Sequence, residues 1–399
     1  MRQAGRDAAR KRDGSGPFVG NWPRHSRRVV ESVFSQVELH SRHLLLVCTF
    51  AKILEIIEMD HGEHMKSWLL EKAGRKNLNL VDISEPKPGP GQILVRTTAV
   101  SLNYRDKLVI ENKYPLPILF PMVPGSDLAG EVVAVGSGVS RFKTGDQVIS
   151  LFRPKWLSGV PSHEAIRENL GGPLPGVLAE YVLLSEQGAL AYPDYLTPAE
   201  ASTLPVAAIT AWVALLKHGN LKPGETVLLQ GSGGVSLFAL QLAVAHGARV
   251  LVTSRSPGKI ARLKQLGAEE VIDTSTNTAW DEAVFQLTDG RGADHILDVL
   301  GGDAVPLSIL AAAWGGHIAL IGIMDRPTTT ISILTAMGKT LRLQGVSVGS
   351  RGDMEELLAF VETHRISPII DARYSFDALP EALDHLDRGP FGKVVVEIN

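Results

Sequence analysis

The feature that most constrains this chain is one unit of about 30 residues in which an apolar run, a glycine turn, a helix and a second apolar run follow one another. Lys222-Pro223-Gly224-Glu225 makes a turn, and Thr226-Val227-Leu228-Leu229-Gln230 is a short apolar run suited to a buried parallel strand. Gly231-Ser232-Gly233-Gly234-Val235-Ser236 follows, then Leu237–Ala243 with apolar residues at helical spacing. Gly247 closes that helix and Arg249–Ser254 forms the second strand. Gly231 permits the tight turn, and Gly233 lets the backbone approach a pyrophosphate. The helix beyond offers that anion free N–H groups and a positive dipole end. A bare glycine triplet is weak evidence, but between two such strands it predicts a dinucleotide site contacted by Gly231, Ser232, Gly233, Gly234 and Val235. The sixth position of the motif is Ser236, not glycine, so the helix is expected to stand slightly farther from its strand.

The pattern continues. Helix 259–266 leads to strand 270–273, helix 280–288 to strand 295–298, helix 304–313 to strand 317–322, and 340–348 is read as a sixth strand. Six parallel strands with intervening helices predict an α/β doubly wound Rossmann domain over 209–348, with ligands at the carboxyl ends of the strands. Gly301, Gly322, Ile323 and the stretch around Ser347 are the candidate contacts there.

The end of the second strand selects between cofactors. An NAD site places an acid there for the ribose hydroxyl. This chain reads Thr253-Ser254-Arg255-Ser256-Pro257-Gly258-Lys259, with Ser254 in the acid's place and two cations, Arg255 and Lys259, able to hold a 2′-phosphate. NADPH is expected, and NADH is the less favoured alternative.

At 44% hydrophobic and 21% charged residues the chain has material for a sizeable core, which rules out disorder throughout. A net charge of −3 offers no general footprint for nucleic acid. The single cysteine, Cys48, excludes an intramolecular disulfide framework and any multi-cysteine zinc site. No uninterrupted run is read as approaching the roughly 18 apolar residues of a membrane span. A soluble protein of a reducing compartment, the cytoplasm, is therefore expected.

Residues 1–64 read differently. The first 28 carry eight Lys or Arg against two acids, and the apolar stretch Leu44–Ile57 is broken by Lys52 and Glu55. That stretch starts too late for a secretory signal, and no small-residue cleavage site follows it. The Arg-rich start keeps a mitochondrial transit peptide open, and a disordered basic tail with a marginal helix over 43–58 is a second reading. The favoured reading is a disordered or non-native extension, with the functional chain starting at Met59 or Met65. His61, Glu63 and His64 carry metal-capable groups but are read as a solvated loop.

Residues 66–200 hold short β runs punctuated by Gly and Pro: 78–83, 92–100, 127–135, 147–151 and 178–184. Helices near 353–364 and 378–387 precede a last strand at 392–398, expected to rejoin the first domain. With Val100-Ser101-Leu102-Asn103-Tyr104-Arg105-Asp106, Pro124–Gly136, Gly145-Asp146-Gln147-Val148, Thr210-Ala211-Trp212, Leu266-Gly267-Ala268 and Gly392-Lys393, the sequence resembles the medium-chain dehydrogenase/reductase superfamily. It is nearest to the zinc-independent quinone-oxidoreductase-like and alcohol-dehydrogenase-like members. The resemblance implies a GroES-like catalytic domain, 65–208 and 349–399, interrupted by the Rossmann domain, and assembly as a homodimer or homotetramer. The zinc ligands of the metal-dependent members align with Asn103, Ser126 and Val206, a poor zinc set, so no zinc is expected.

Without a metal to polarise a carbonyl, acceptors that take hydride easily are favoured: quinones and α,β-unsaturated carbonyls. The resemblance puts Asn103 and Thr210 beside the nicotinamide. Tyr104 and Tyr114 are candidate proton donors, each equally readable as an amphipathic wall residue. Asp106 is read as a structural hydrogen-bonder, Arg105 and Lys107 as surface charges, and the ill-patterned insertion 152–176 with Trp156 and His163 as part of the pocket rim. Reversible alcohol–carbonyl chemistry is the alternative, and an NADPH-binding sensor or nucleic-acid-binding paralogue with little turnover is a third reading.

Overall fold

The computed structural model describes residues 63–398. The run Thr226–Gln230 is buried at every position, as a strand covered on both faces must be. It lies inside a six-stranded parallel sheet in the order Glu270–Asp273, Arg249–Ser254, Thr226–Gln230, Ala293–Asp298, Ala312–Leu320, Arg342–Gly345. Taken in chain order this is 3-2-1-4-5-6, and the reversal between the first and fourth strands opens a crevice at their carboxyl ends. The α/β doubly wound reading holds.

The largest departures from the limits read in the sequence fall on the last two parallel strands. The fifth strand begins at Ala312, and the sixth is only Arg342–Gly345, so Ser347 lies in the loop beyond it. Helix Ile333–Gly338, which the sequence reading passes over, buries none of its residues and so shows no apolar stripe towards this chain's core.

The second sheet is built on Gln92–Ser101. This strand pairs antiparallel with Asp127–Val135, Tyr181–Ser185 and Lys393–Glu397. The register Val395↔Ser101 brings the late strand into the early sheet, and Ile93, Val95, Val100, Leu128, Val132, Val394 and Val396 share its core. Where Gln92–Ser101 bulges between Thr97 and Ala99, a Cβ on Gly130 would stand 2.2 Å from the Arg96 carbonyl oxygen, so only glycine fits. His64–Leu70 pairs with Leu78–Ser84, and the Glu63 carbonyl accepts from Glu85 N–H at 2.8 Å. His64 is thus an exposed strand residue, while His61 and Cys48 fall outside the described residues.

The two sheets are joined by the helical run Pro198–His218, whose turns are wide (π-type) over Leu204–Ala208 and Val213–His218. This run corrects the expectation about apolar stretches, because by length and composition alone it could cross a membrane. Most of it is buried within the protein, against Leu237, Phe238, Leu357 and other core residues. Core helices covered on all sides are apolar all round, so composition cannot tell the two apart.

One buried group sets a pH dependence. His317 is 1% exposed, neither ring nitrogen has a hydrogen-bond partner, and the His295 ring stands edge-on at 5.8 Å. His295 itself is paired with Glu225 at 2.9 Å. Burial, then His295, Arg342 and His218, push the His317 pKa down to about 4. The folded state holds this ring neutral while the unfolded chain protonates it near pH 6.5, so this contribution is complete above about 6.5 and is lost as pH falls towards 4. In urea titrations, His317→Leu is expected to flatten that decline by up to about 3 kcal/mol; an unchanged slope would exclude His317 as its source.

Candidate active site

The glycine turn sits at the carboxyl end of the first parallel strand. Gly231 has φ +71°, a conformation glycine adopts without strain, and its N–H donates to Thr253 O at 2.7 Å. A Cβ on Gly231 or Gly233 would meet nothing within 4 Å, so the protein leaves open the space in front of helix Gly234–Ala245. Free N–H groups at the start of a twelve-residue helix, facing a cradle kept clear of side chains, fit a pyrophosphate. Gly234 has a different purpose: its missing Cβ would stand 2.6 Å from Cδ of Lys393. Ser236 does not hold the helix off. Its buried hydroxyl donates to Gln230 O at 2.7 Å and ties the helix to the strand it follows.

At the end of the second strand Ser254 is buried, and its Oγ accepts from Ser256 N–H at 3.2 Å. Arg255 is exposed and without a hydrogen-bond or ion-pair partner among the described residues. Lys259 is half-buried and turned to the loop at 389–390, donating to Gly389 O at 2.7 Å and Pro390 O at 3.3 Å. Burial lowers its pKa from the ordinary lysine range. Only Arg255 stands uncommitted there.

The loops after the fourth and fifth strands are held by a residue the sequence reading did not single out. Buried Asp298 accepts from Leu300 N–H, Gly301 N–H, Gln230 Nε2 and Ser308 Oγ at 2.7–3.3 Å. Gly322 passes so close to Val299 that a Cβ would stand 1.8 Å from its carbonyl oxygen, and Ile323 is left exposed beside it.

Beneath the glycine turn lies a buried ionic network. Asn103 caps helix Tyr104–Ile110, its N–H donating to Asp106 Oδ2 at 2.7 Å. Lys393 Nζ donates to Asn103 Oδ1 at 2.6 Å and Leu102 O at 2.8 Å. Because an ammonium only donates, Asn103 Oδ1 must be the acceptor and Nδ2 the donor; Nδ2 supports the charge of Asp127 but makes no hydrogen bond of good geometry among the described residues. Ser126 Oγ donates to Asp127 Oδ1 at 2.7 Å. Burial pushes Asp127 upward and Asp106 up to about 6, and it pulls Lys393 down; the attraction between the ammonium and both carboxylates opposes each shift. Thr210, also buried, donates its hydroxyl to Val206 O at 2.6 Å, which leaves only lone pairs to offer.

Asn103, Ser126 and Val206 carry an amide, a hydroxyl and an alkyl group, a donor set that does not fit a catalytic zinc. Among the described residues no group of three or more His, Cys, Asp or Glu is arranged to hold a metal ion.

Arg105, read from the sequence as a surface charge, is turned inward. It donates to Leu170 O at 3.1 Å and Gly172 O at 2.6 Å, and it stacks over Tyr114 at 4.5 Å and Phe152 at 4.8 Å. Lys107 pairs with Asp387 at 2.7 Å and lies over the Tyr104 ring. Neither tyrosine hydroxyl has a hydrogen-bond partner among the described residues. His163 is exposed at the start of a five-residue helix and touches none of these groups.

Residues 89–194 match the alcohol dehydrogenase GroES-like domain, and residues 234–363 match the zinc-binding dehydrogenase family. A zinc-type alcohol dehydrogenase-like protein of Schizosaccharomyces pombe is 38% identical over 320 residues, which is 78% of this chain and 92% of that protein. A quinone oxidoreductase of Pseudomonas aeruginosa is 34% identical across 71% of this chain and 82% of its own. The crystal structure of a candidate alcohol dehydrogenase from Sinorhizobium meliloti 1021 is 46% identical and covers 85% of this chain and 100% of its own, with a TM-score of 0.81.

Proposed function

This chain belongs to the medium-chain dehydrogenase/reductase family of pyridine-nucleotide oxidoreductases, and from that premise we propose that it reduces quinones or α,β-unsaturated carbonyls with NADPH and without zinc. The observation that carries the reading is the donor set at Asn103, Ser126 and Val206, which offers no thiolate or imidazole for a metal. Zinc in the names of the relatives belongs to those proteins. A plain ketone needs strong polarisation to accept hydride, whereas a conjugated acceptor needs less.

Bound NADPH supplies the hydride. The residues of this chain hold and orient. Gly231, Gly233 and the N–H groups opening helix Gly234–Ala245 would take the pyrophosphate, and Arg255 the 2′-phosphate. Thr210 and Asn103 offer an acceptor and a donor on the catalytic side. Tyr114, beside two guanidinium groups, is the proposed source of the proton. Assembly as a homodimer is part of the proposal, supported by an exposed edge strand, Arg342–Gly345, next to Trp314, Leu334 and Met337, which are 66–82% exposed. The mass in sedimentation equilibrium tests it, and that of a single chain would refute it.

The test of function is oxidation of NADPH and NADH by the full chain, with and without chelator, against a quinone, an enal, an aldehyde and a ketone. Chelator-resistant, NADPH-preferring turnover of quinone or enal is expected. Turnover of aldehyde or ketone that chelator abolishes would favour metal-dependent alcohol dehydrogenase chemistry instead. Arg255→Ala is expected to weaken NADPH by about 30-fold with little change for NADH, since it removes one charge-assisted phosphate contact. Equal losses for both cofactors would take Arg255 out of the phosphate site.

A further inference from the structure

Two guanidinium groups at the carboxyl edge of the parallel sheet have no carboxylate bound to them among the described residues. Arg153 is 8% exposed; its Nε donates to Asn169 Oδ1 at 3.0 Å and its Nη2 to Ser347 Oγ at 3.0 Å. Ser347 lies just past the sixth strand, and nearby Gly349 packs on Ile209, the neighbour of Thr210. Arg153 therefore reaches from the β-rich domain to the same end of the sheet as the candidate nicotinamide residues. Arg105, held by Leu170 O and Gly172 O, stands over the Phe152 ring that Arg153 also faces. The two guanidinium carbons stand 4.8 and 5.7 Å from the centre of the Phe152 ring, and Arg153 also faces Trp156 at 5.7 Å.

Every hydrogen bond given by the two arginines goes to a neutral oxygen. Nε of Arg105 is buried and has no partner among the described residues. Two cations sharing one phenyl ring repel each other; the buried carboxylates of Asp106 and Asp127 attract Arg105, but none acts on Arg153, and burial raises the cost of leaving that charge unneutralised. Burial and the charge of Arg105 both work to lower the pKa of Arg153. An anion placed between them would remove both penalties. Each guanidinium spends two of its five N–H groups, and the planar N–H edges that remain suit a planar carboxylate, which takes two parallel bonds.

We infer that the acceptor bound at this site carries a carboxylate, held by Arg153 and Arg105 against Phe152 and Tyr114. This deepens the proposed function, on which its catalytic meaning rests: the substrate becomes a conjugated carbonyl compound with an acid group, and the arginines set its orientation. No covalent step is added.

The test measures binding, so it does not depend on turnover. Cinnamate and cinnamamide, alike in shape and different in charge, are titrated calorimetrically into the full chain, with and without NADP⁺. The carboxylate is expected to bind at least about 10-fold more tightly, and Arg153→Gln to bring the two within about 3-fold of each other. Equal affinities in the wild type overturn the inference, as does failure of cinnamate to bind. If Arg153→Gln does not fold, Arg105→Gln must narrow the ratio; a ratio unchanged in every folded variant also overturns it. Absence of NADPH oxidation in the substrate panel, with cinnamate preference intact, would sink the proposed reaction and leave the anion site standing.

Discussion

Lys393→Met is expected to lower kcat by about 100-fold and to destabilise the fold by about 3–5 kcal/mol, the range seen when one partner of a buried ion pair is removed. Methionine keeps the stem that packs over Gly234 and loses the ammonium that holds Asn103 Oδ1 and Leu102 O. Asp127 and Asp106 then lose one of the two cations that stabilise their charge, Arg105 being the other. Their folded-state pKa values, already raised by burial, move higher still. A carboxyl group with a raised folded pKa favours the folded state below its unfolded pKa, and that contribution is lost as pH rises through the folded value. The variant's deficit in urea unfolding should therefore be smaller at pH 5 than at pH 8. The kinetic loss follows from Asn103, whose amide is free to rotate and no longer presents Nδ2 as the sole donor. A stability deficit with kcat intact would show that Lys393 supports the fold without orienting Asn103.

Gly233→Ala is expected to leave thermal stability unchanged and to weaken dinucleotide binding by about 100-fold, roughly 2.7 kcal/mol. The backbone at Gly233, φ −77° and ψ 176°, suits alanine, and the added methyl would meet no protein atom within 4 Å. Its only effect falls on a ligand that must approach the helix N-terminus closely. Gly234→Ala makes the contrast, because its methyl would strike Lys393 and disturb the ionic network. Cofactor titration and melting of both variants separate these purposes. A loss below about 3-fold in Gly233→Ala, against the close approach that the helix N-terminus requires, would place the pyrophosphate elsewhere.

How much of this was legible in the sequence depends on whether the informative contact was local. The glycine turn, the strand before it and the helix after it could be read because the geometry is completed within a few residues. So could the capping role of Asp106, three positions from Asn103. Asp298 could not: beside its local bonds to Leu300 and Gly301, the contacts that bury it come from 68 residues before and 10 after. Arg105 reads as a surface charge because nothing near it in the chain signals a buried cation; what turns it inward is the Leu170–Gly172 segment, 65 and 67 residues later. Ser236 was misjudged for a subtler reason: a larger side chain at the glycine position implied separation, whereas its hydroxyl found the strand carbonyl. Lys393 entered only as part of a recognised pair, Gly392-Lys393, since nothing local to it signals a buried ammonium.

The bond between Lys393 and Asn103 joins points 290 residues apart in the chain. Closing so long a loop in a disordered chain carries a large entropic cost, which falls once the intervening parallel sheet has condensed and brought its two ends together. Connectivity thereby favours one order of assembly, in which the nucleotide cradle precedes the network beneath it, so that the means to hold a dinucleotide would form before the means to use it.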